Sequence, residues 1–180
     1  FLTFIYIFFV KINNLNFQMK KLQYILVSPI ILFLLACGSS EDSYPILSIG
    51  ETHEGGIIFY LDGTGGGLIA APDDLDGTYE WGCLLTQVED GGNLTQIGTG
   101  YQNTIDIINQ QCSTELGGVP AAQAAKDAQI NGFNDWYLPS RDELYQMYLK
   151  IGQGGLDSNN NIGDFSSSQY WSSSESNFSN

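Results

Sequence analysis

The strongest constraint on this chain is the break in character at Cys37. Residues 19–36 contain two lysines, no acid, and an apolar run from Tyr24 to Leu35 interrupted only by Ser28 and Pro29. That run of 12 residues falls short of the ~20 needed to span a bilayer as a helix. It has the length and flanks of a targeting segment, not of a domain core. Any folded domain must therefore be built from the residues beyond Cys37, and 180 residues leave room for one. The first Met is Met19. Residues 1–18 are read as an upstream extension foreign to the mature protein, with a genuine N-terminal extension as the alternative.

Lys20 and Lys21 give the segment a positive start, and Leu34-Leu35-Ala36-Cys37 places small and aliphatic residues before a cysteine. The polar stretch Gly38-Ser39-Ser40-Glu41-Asp42 comes directly after it. This order resembles the signal peptide and lipobox of bacterial lipoproteins. The resemblance implies that the Cys37 thiol receives a diacylglycerol, that the chain is cut before Cys37, and that the new amino group is acylated. It implies residues 19–36 as signal peptide and 37–50 as a lipid-anchored tether on a bacterial outer membrane. Glu41 and Asp42 resemble the surface-export signals of some lipoproteins. The alternative is an ordinary cleaved signal peptide with an incidental cysteine.

Three of the six cationic residues precede Cys37 and all 20 acids lie beyond it, so cleavage takes the net charge from −14 to −17. Such a surface repels nucleic acid and polyanionic glycans and suits neutral ligands. Plain solubility is the commoner reason for it. With Cys37 assigned to lipid, Cys83 and Cys112 remain. An even pair in an oxidising compartment reads as one disulfide, worth roughly 3–4 kcal/mol for a loop of this length on the chain-entropy argument. Two cysteines and the single histidine, His53, make no zinc site.

Gly56–Leu61 and Leu68–Ala71 are apolar runs around a glycine-rich turn and predict a β-hairpin buried on both strands. Tyr79–Cys83 predicts a further short strand. Residues 102–111 predict a helix with Ile105 and Ile108 inward. Pro120 opens a second helix that runs towards a left-handed cap at Asn131-Gly132. Ser140-Arg141-Asp142-Glu143 fits a capping box, and Leu144, Met147, Tyr148 and Ile151 come next at the spacing of one buried face. Tyr170–Ser174 predicts a last strand, so close to Asn180 that the domain reads as cut short at its C-terminus.

Glu54–Leu61, Leu68–Pro72, Trp81-Gly82-Cys83, Asn131–Ser140, Asp142-Glu143-Leu144 and Tyr170–Glu175 occur in that order. Together they resemble domain-of-unknown-function family 1566, which includes the C-terminal domain of the Legionella collagen-like adhesin. The resemblance covers about residue 49 to the end. It implies an α+β, C-type lectin-like fold over residues 51–180: short helices and a twisted, mainly antiparallel sheet. It also implies a binding or adhesion role with no established reaction. The sulfated-polysaccharide binding of the adhesin relative needs cations that this chain lacks.

The ligand-binding candidates are Trp136, Arg141, Glu143, Tyr170, Trp171 and Glu175. Trp faces can stack on sugar rings, although three Trp in a small domain are more often core, and at least two of Trp81, Trp136 and Trp171 are expected there. Arg141 and Glu143 either form a buried network or simply cap their helix, and Glu175 could join either arrangement. Residues 157–164 alternate oxygen ligands as calcium loops do. They lack the sixth-position glycine and the closing glutamate, so a solvated loop is the favoured reading and no cofactor is required. Asp73, Asp74 and Asp76 read as a turn. No catalytic constellation stands out. His53 has no assignable nucleophile, and an oxidase of the formylglycine type, built on a related fold, needs free thiols. The sequence therefore points to a lipid-anchored, non-enzymatic binding module for a neutral glycan. A structural envelope protein without ligand and an undetected hydrolase are the alternatives.

Overall fold

The computed structural model describes residues 5–6, 10–14, 46–82, 87–88, 94–111, 114–155 and 161–176. Cys37, Cys83, Cys112 and residues 157–160 lie outside them, so the lipidation, disulfide and most of the calcium-loop readings fall on residues that are not described.

The centre is the expected hairpin. Strand β4 (Gly56–Leu61) pairs antiparallel with β5 (Gly66–Ala70), with a register irregularity between Ile58 and Tyr60. Asp62 organises the turn. Its carboxylate accepts from the Thr64 amide at 2.7 Å, the Thr64 hydroxyl at 2.9 Å and the Gly66 amide at 3.0 Å. The Thr64 amide bond, followed by that from Gly66, holds the Asp62 carboxyl below its usual range. A short strand, β3 (Thr52–His53), pairs with the other edge of β4 through the two-residue turn Glu54-Gly55. Both turn residues have positive φ, 44° and 82°, as primed hairpin turns require.

The hairpin is covered on both faces, which explains its unbroken apolar sequence. Ile58 and Ile69 pack in one core with Trp136, Leu138, Ile107 and the alanines of α2 (Ala121–Asp127). Ile57, Phe59, Leu68 and Ala70 pack in a second with Tyr137, Met147, Ile151 and Phe165. Helix α1 (Gly100–Asn109) lies against α2, and α3 (Arg141–Lys150) lies against β4. Strand β6 (Gln169–Tyr170) pairs in parallel with β1 (Ile5–Tyr6), and β2 (Val10–Asn14) lines the outer edge of β5. The class is α+β: three helices and a small antiparallel sheet among the described residues.

Several local expectations need correction. Residues 79–82 form no strand: the Glu80 carbonyl accepts from the Ala121 amide at 2.8 Å instead. Helix α1 buries Asn103, Thr104 and Ile107, with Ile108 packed against the core at its edge and Ile105 only half-buried. Helix α2 ends at Asp127 with an extended Ala128, and Asn131-Gly132 form a separate turn closed by Ile130 and Phe133. On α3, Met147 and Ile151 are buried, but Tyr148 is exposed and Glu143 takes its place inside. Only Gln169–Tyr170 of the final segment is a strand.

Candidate functional site

The framework behind the site is the α3 N-terminus. Ser140 and Glu143 make the full capping box. Glu143 is wholly buried. It accepts from the Ser140 amide at 2.7 Å on one oxygen and from the Gly98 amide at 2.7 Å on the other, with a further amide bond from Gly100. Burial raises its pKa, opposed by the amide bonds from Ser140, Gly98 and Gly100. Tyr137 lies beside it, its hydroxyl buried and outside strict hydrogen-bond geometry. Burial first, and then the Glu143 charge, push the phenol well above its usual range. A Cβ on Gly100 would collide with the Glu143 carboxylate, so only glycine lets α1 begin here. Glu143→Ala is expected to lower stability by about 3 kcal/mol, since it removes a cap and strands buried amides. Urea denaturation reads the loss, and Ser140→Ala should cost only about 1 kcal/mol.

The segment 171–175 is sewn onto this framework. The Ser173 amide donates to the Pro139 carbonyl at 2.7 Å. The Asn103 amide nitrogen donates to Leu94 O at 2.6 Å and reaches Ser173 Oγ at 3.3 Å. Ser174 Oγ donates to Leu94 O at 2.7 Å and accepts from the Arg141 amide at 3.0 Å. Glu175 accepts from the Val88 amide at 3.2 Å.

Beside it runs a strip of half-buried aromatics. Trp81 Nε1 donates to the Ser172 carbonyl and Trp171 Nε1 to the Tyr79 carbonyl, each at 2.8 Å. These reciprocal bonds bind two loops together and fix both indoles. Tyr170 packs edge-on against Phe165, with ring centres 5.4 Å apart. Its hydroxyl donates to Asp74 Oδ2 at 3.3 Å and accepts from the Ser166 amide at 3.0 Å. Asp74 Oδ1 is buried without a partner among the described residues. Burial pushes the Asp74 carboxyl up to about 6, against the lowering bond from Tyr170, and the charges of Asp164 and Asp73 raise it further.

The six candidates therefore divide. Trp136 is fully buried, with its Nε1 donating to Phe133 O at 3.2 Å, and presents no ring face to solvent. Glu143 is interior too. Arg141 projects outward, its side chain 68% exposed and paired with the neighbouring Asp142 at 3.3 Å. Tyr170, Trp171 and Glu175 are half-buried around the strip. Sequence reasoning missed the pairing of Trp81 with Trp171 and the place of Asp74 beside Tyr170. Separations of 91 and 96 residues carry no local signal. His53 lies on β3 with Nε2 buried and unpartnered among the described residues.

Trp81, Trp171 and Tyr170 are each half-buried, with both indoles packed against the core of Ile58 and Ile69 and Tyr170 against that of Phe59 and Met147. A separate concavity between α1 and α2, lined by Ile107, Ile108, Gln111, Pro120 and Gln123, holds about 210 Å³. That is below the ~300–1,000 Å³ of ligand pockets. No group of three His, Cys, Asp or Glu able to hold a metal occurs among the described residues.

Asp74 also predicts a pH response. Its folded pKa of about 6 exceeds the ordinary value of 3.8, so the folded state holds the proton more tightly. The stability gained is full below pH ~4 and lost as pH rises through ~6. Glu143 acts in the same direction. Because Asp74 is half exposed, its share is on the order of 1 kcal/mol after screening. Thermal melts should show greater stability at pH 5 than at pH 7.5, with a smaller difference in Asp74→Asn.

Comparison of the chain with protein-family models, with curated proteins and with solved structures finds no match.

Proposed function

We propose that the protein is a lipid-anchored lipoprotein of the envelope or cell surface, held by Cys37 to a bacterial outer membrane. Its domain is a non-catalytic binding or adhesion module for a neutral glycan. The observation that supports this most is the pair of half-buried indoles, Trp81 and Trp171, fixed by reciprocal bonds, with Tyr170 half-buried next in the chain. Pre-ordered aromatic faces lose little freedom on binding a sugar ring. The acidic surface excludes polyanions and leaves neutral sugars as the matching class. The resemblance to domain-of-unknown-function family 1566 and its C-type lectin-like fold belongs to the same proposal. Stacking gives modest affinity per site, and many copies on one membrane supply avidity.

The second reading, a structural envelope protein without a small ligand, is favoured by one feature: the polar groups of Ser173 and Ser174 bond internally. Trp171→Ala and Asp74→Asn separate the two. Under the binding reading both variants stay folded, and retention on immobilised neutral glycans falls about tenfold or more for Trp171→Ala. If wild type is retained by no neutral glycan, with or without calcium, the structural reading replaces the binding one.

A further inference from the structure

Helix α1 has no cap of its own. Its N-cap residue, Thr99, makes no side-chain bond to the first turn, and that turn holds no acid. The Thr99 hydroxyl donates to the Gln96 carbonyl at 2.7 Å instead. The cap comes from the other helix. Glu143, already part of the α3 capping box, also accepts from the Gly98 and Gly100 amides. One buried carboxylate thus serves the N-termini of two helices, whose free amides and dipoles favour an acceptor there.

Residues 94–98 run across this junction as a strap. The α3 N-terminus holds the strap at three points. The Asp142 amide donates to Thr95 O at 3.0 Å, Ser140 Oγ donates to Gln96 O at 2.9 Å, and Glu143 accepts from the Gly98 amide at 2.7 Å. The strap's large apolar residues, Leu94 and Ile97, join neither core among the described residues. A segment held by polar bonds and without buried apolar contacts opens at lower cost than the core. The strap also fixes the 171–175 segment, because Leu94 O accepts from Ser174 Oγ at 2.7 Å and from Asn103 Nδ2 at 2.6 Å.

We infer that residues 94–98 are a conformational latch, seated most firmly on α3 while Glu143 is protonated and loosened as it ionises, and that its opening frees Ser174 and loosens the 171–175 segment. The device belongs to the fold and stands whether or not the strip binds a glycan. Its sign follows from burial, the largest influence on Glu143, which raises its pKa against the amide bonds. Opening the strap lets water reach the carboxylate, so the seated form holds the proton more tightly. The advantage of the seated form is full below the ordinary value of 4.5 and lost as pH rises through the raised one. Tyr137, in the stretch before α3, is a titratable side chain beside Glu143. From α1, Tyr101 packs edge-on against Tyr137 with ring centres 5.8 Å apart, and Lys126 of α2 lies 6.0 Å over Tyr101. On α3, Arg141 and Asp142 pair with each other at the surface, and Glu175 of the final segment bonds the Val88 amide.

Hydrogen exchange on the full chain tests the latch, in an Asp74→Asn background that removes the other titration predicted above. Protection of the Gly98 and Gly100 amides, taken relative to the intrinsic rate at each pH, should fall at least about threefold from about pH 5 to about pH 8. Protection of the Ser173 amide should fall with it. The midpoint should match that of the Glu143 carboxyl, followed by its carbon-13 shift. Glu143→Gln should make strap protection independent of pH. Tyr137→Phe keeps the ring, takes a polar hydroxyl away from the ionised carboxylate, and should move the midpoint to higher pH. A hydroxyl with a merely structural role would leave the midpoint in place. Strap protection that is unchanged across the Glu143 titration overturns the latch. So does a response that persists in Glu143→Gln, or one whose midpoint Tyr137→Phe does not move. A strap that responds without Ser173 overturns its coupling to the 171–175 segment.

Discussion

Trp136→Ala is expected to remove about 3–5 kcal/mol of the domain's stability. The indole is wholly buried between the β4–β5 hairpin and the alanines of α2, in the core that holds Ile58, Ile69, Ala121, Ala125 and Leu138. Removing a buried aromatic side chain typically costs about 3–5 kcal/mol, because lost burial and the residual cavity add. Small domains have only about 5–15 kcal/mol in total. The α2 contribution to this core is alanine, whose short side chains cannot close over the void. The indole N–H bond to Phe133 O is lost as well, which loosens the Ile130–Phe133 turn. Urea denaturation followed by circular dichroism should show the midpoint collapse. Trp171→Ala, half-buried at the rim, should lose only about 1–2 kcal/mol. An unchanged midpoint for Trp136→Ala would contradict this packing.

Under the proposed lipoprotein reading, Cys37→Ala is expected to abolish anchoring altogether. In that reading the thiol of Cys37 carries the lipid, and alanine offers no nucleophile for the diacylglycerol. Cleavage in lipoproteins comes after modification, so the variant should accumulate with residues 19–36 still attached. In a bacterial host fed labelled palmitate, wild type should take up label and the variant none, with a mass difference matching the retained segment. Two or three acyl chains hold a protein to a bilayer stably, whereas one gives marginal binding. Wild type should therefore resist salt washing. A wild-type protein that takes up no palmitate contradicts the lipoprotein reading.

The elements that were legible in the sequence are those set by neighbours in the chain. Gly56–Leu61 and the run after Gly66 read as buried strands because β-branched and aromatic residues are continuous there, and Ser140 to Glu143 read as a capping box because both bonds close within one turn. The inward face of α1 was not legible. Asn103 and Thr104 are polar, and their burial depends on Leu94, Ser173 and Leu138 in distant segments. Tyr79–Gly82 has the composition of a strand, but its backbone and indole bonds go to α2 and to Ser172, so no ladder forms. Tyr148 fits the apolar periodicity of α3. It is nonetheless partly exposed, lying over Gly152 and Gly154, while the capping Glu143 turns inward. At the candidate site, the sequence put forward Tyr170, Trp171 and Glu175 but could not pair them with Trp81, Val88 or Asp74. Those contacts span 87 to 96 positions.

The most direct measurement labels the three tryptophans with 5-fluorotryptophan and tracks their fluorine resonances while a neutral oligosaccharide is added. Assignment comes from single Trp→Phe variants. The rigid strip predicts that the Trp81 and Trp171 signals shift saturably, while the buried Trp136 signal stays in place. If no resonance moves at saturating glycan, or if Trp136 alone responds, the strip is not the binding face.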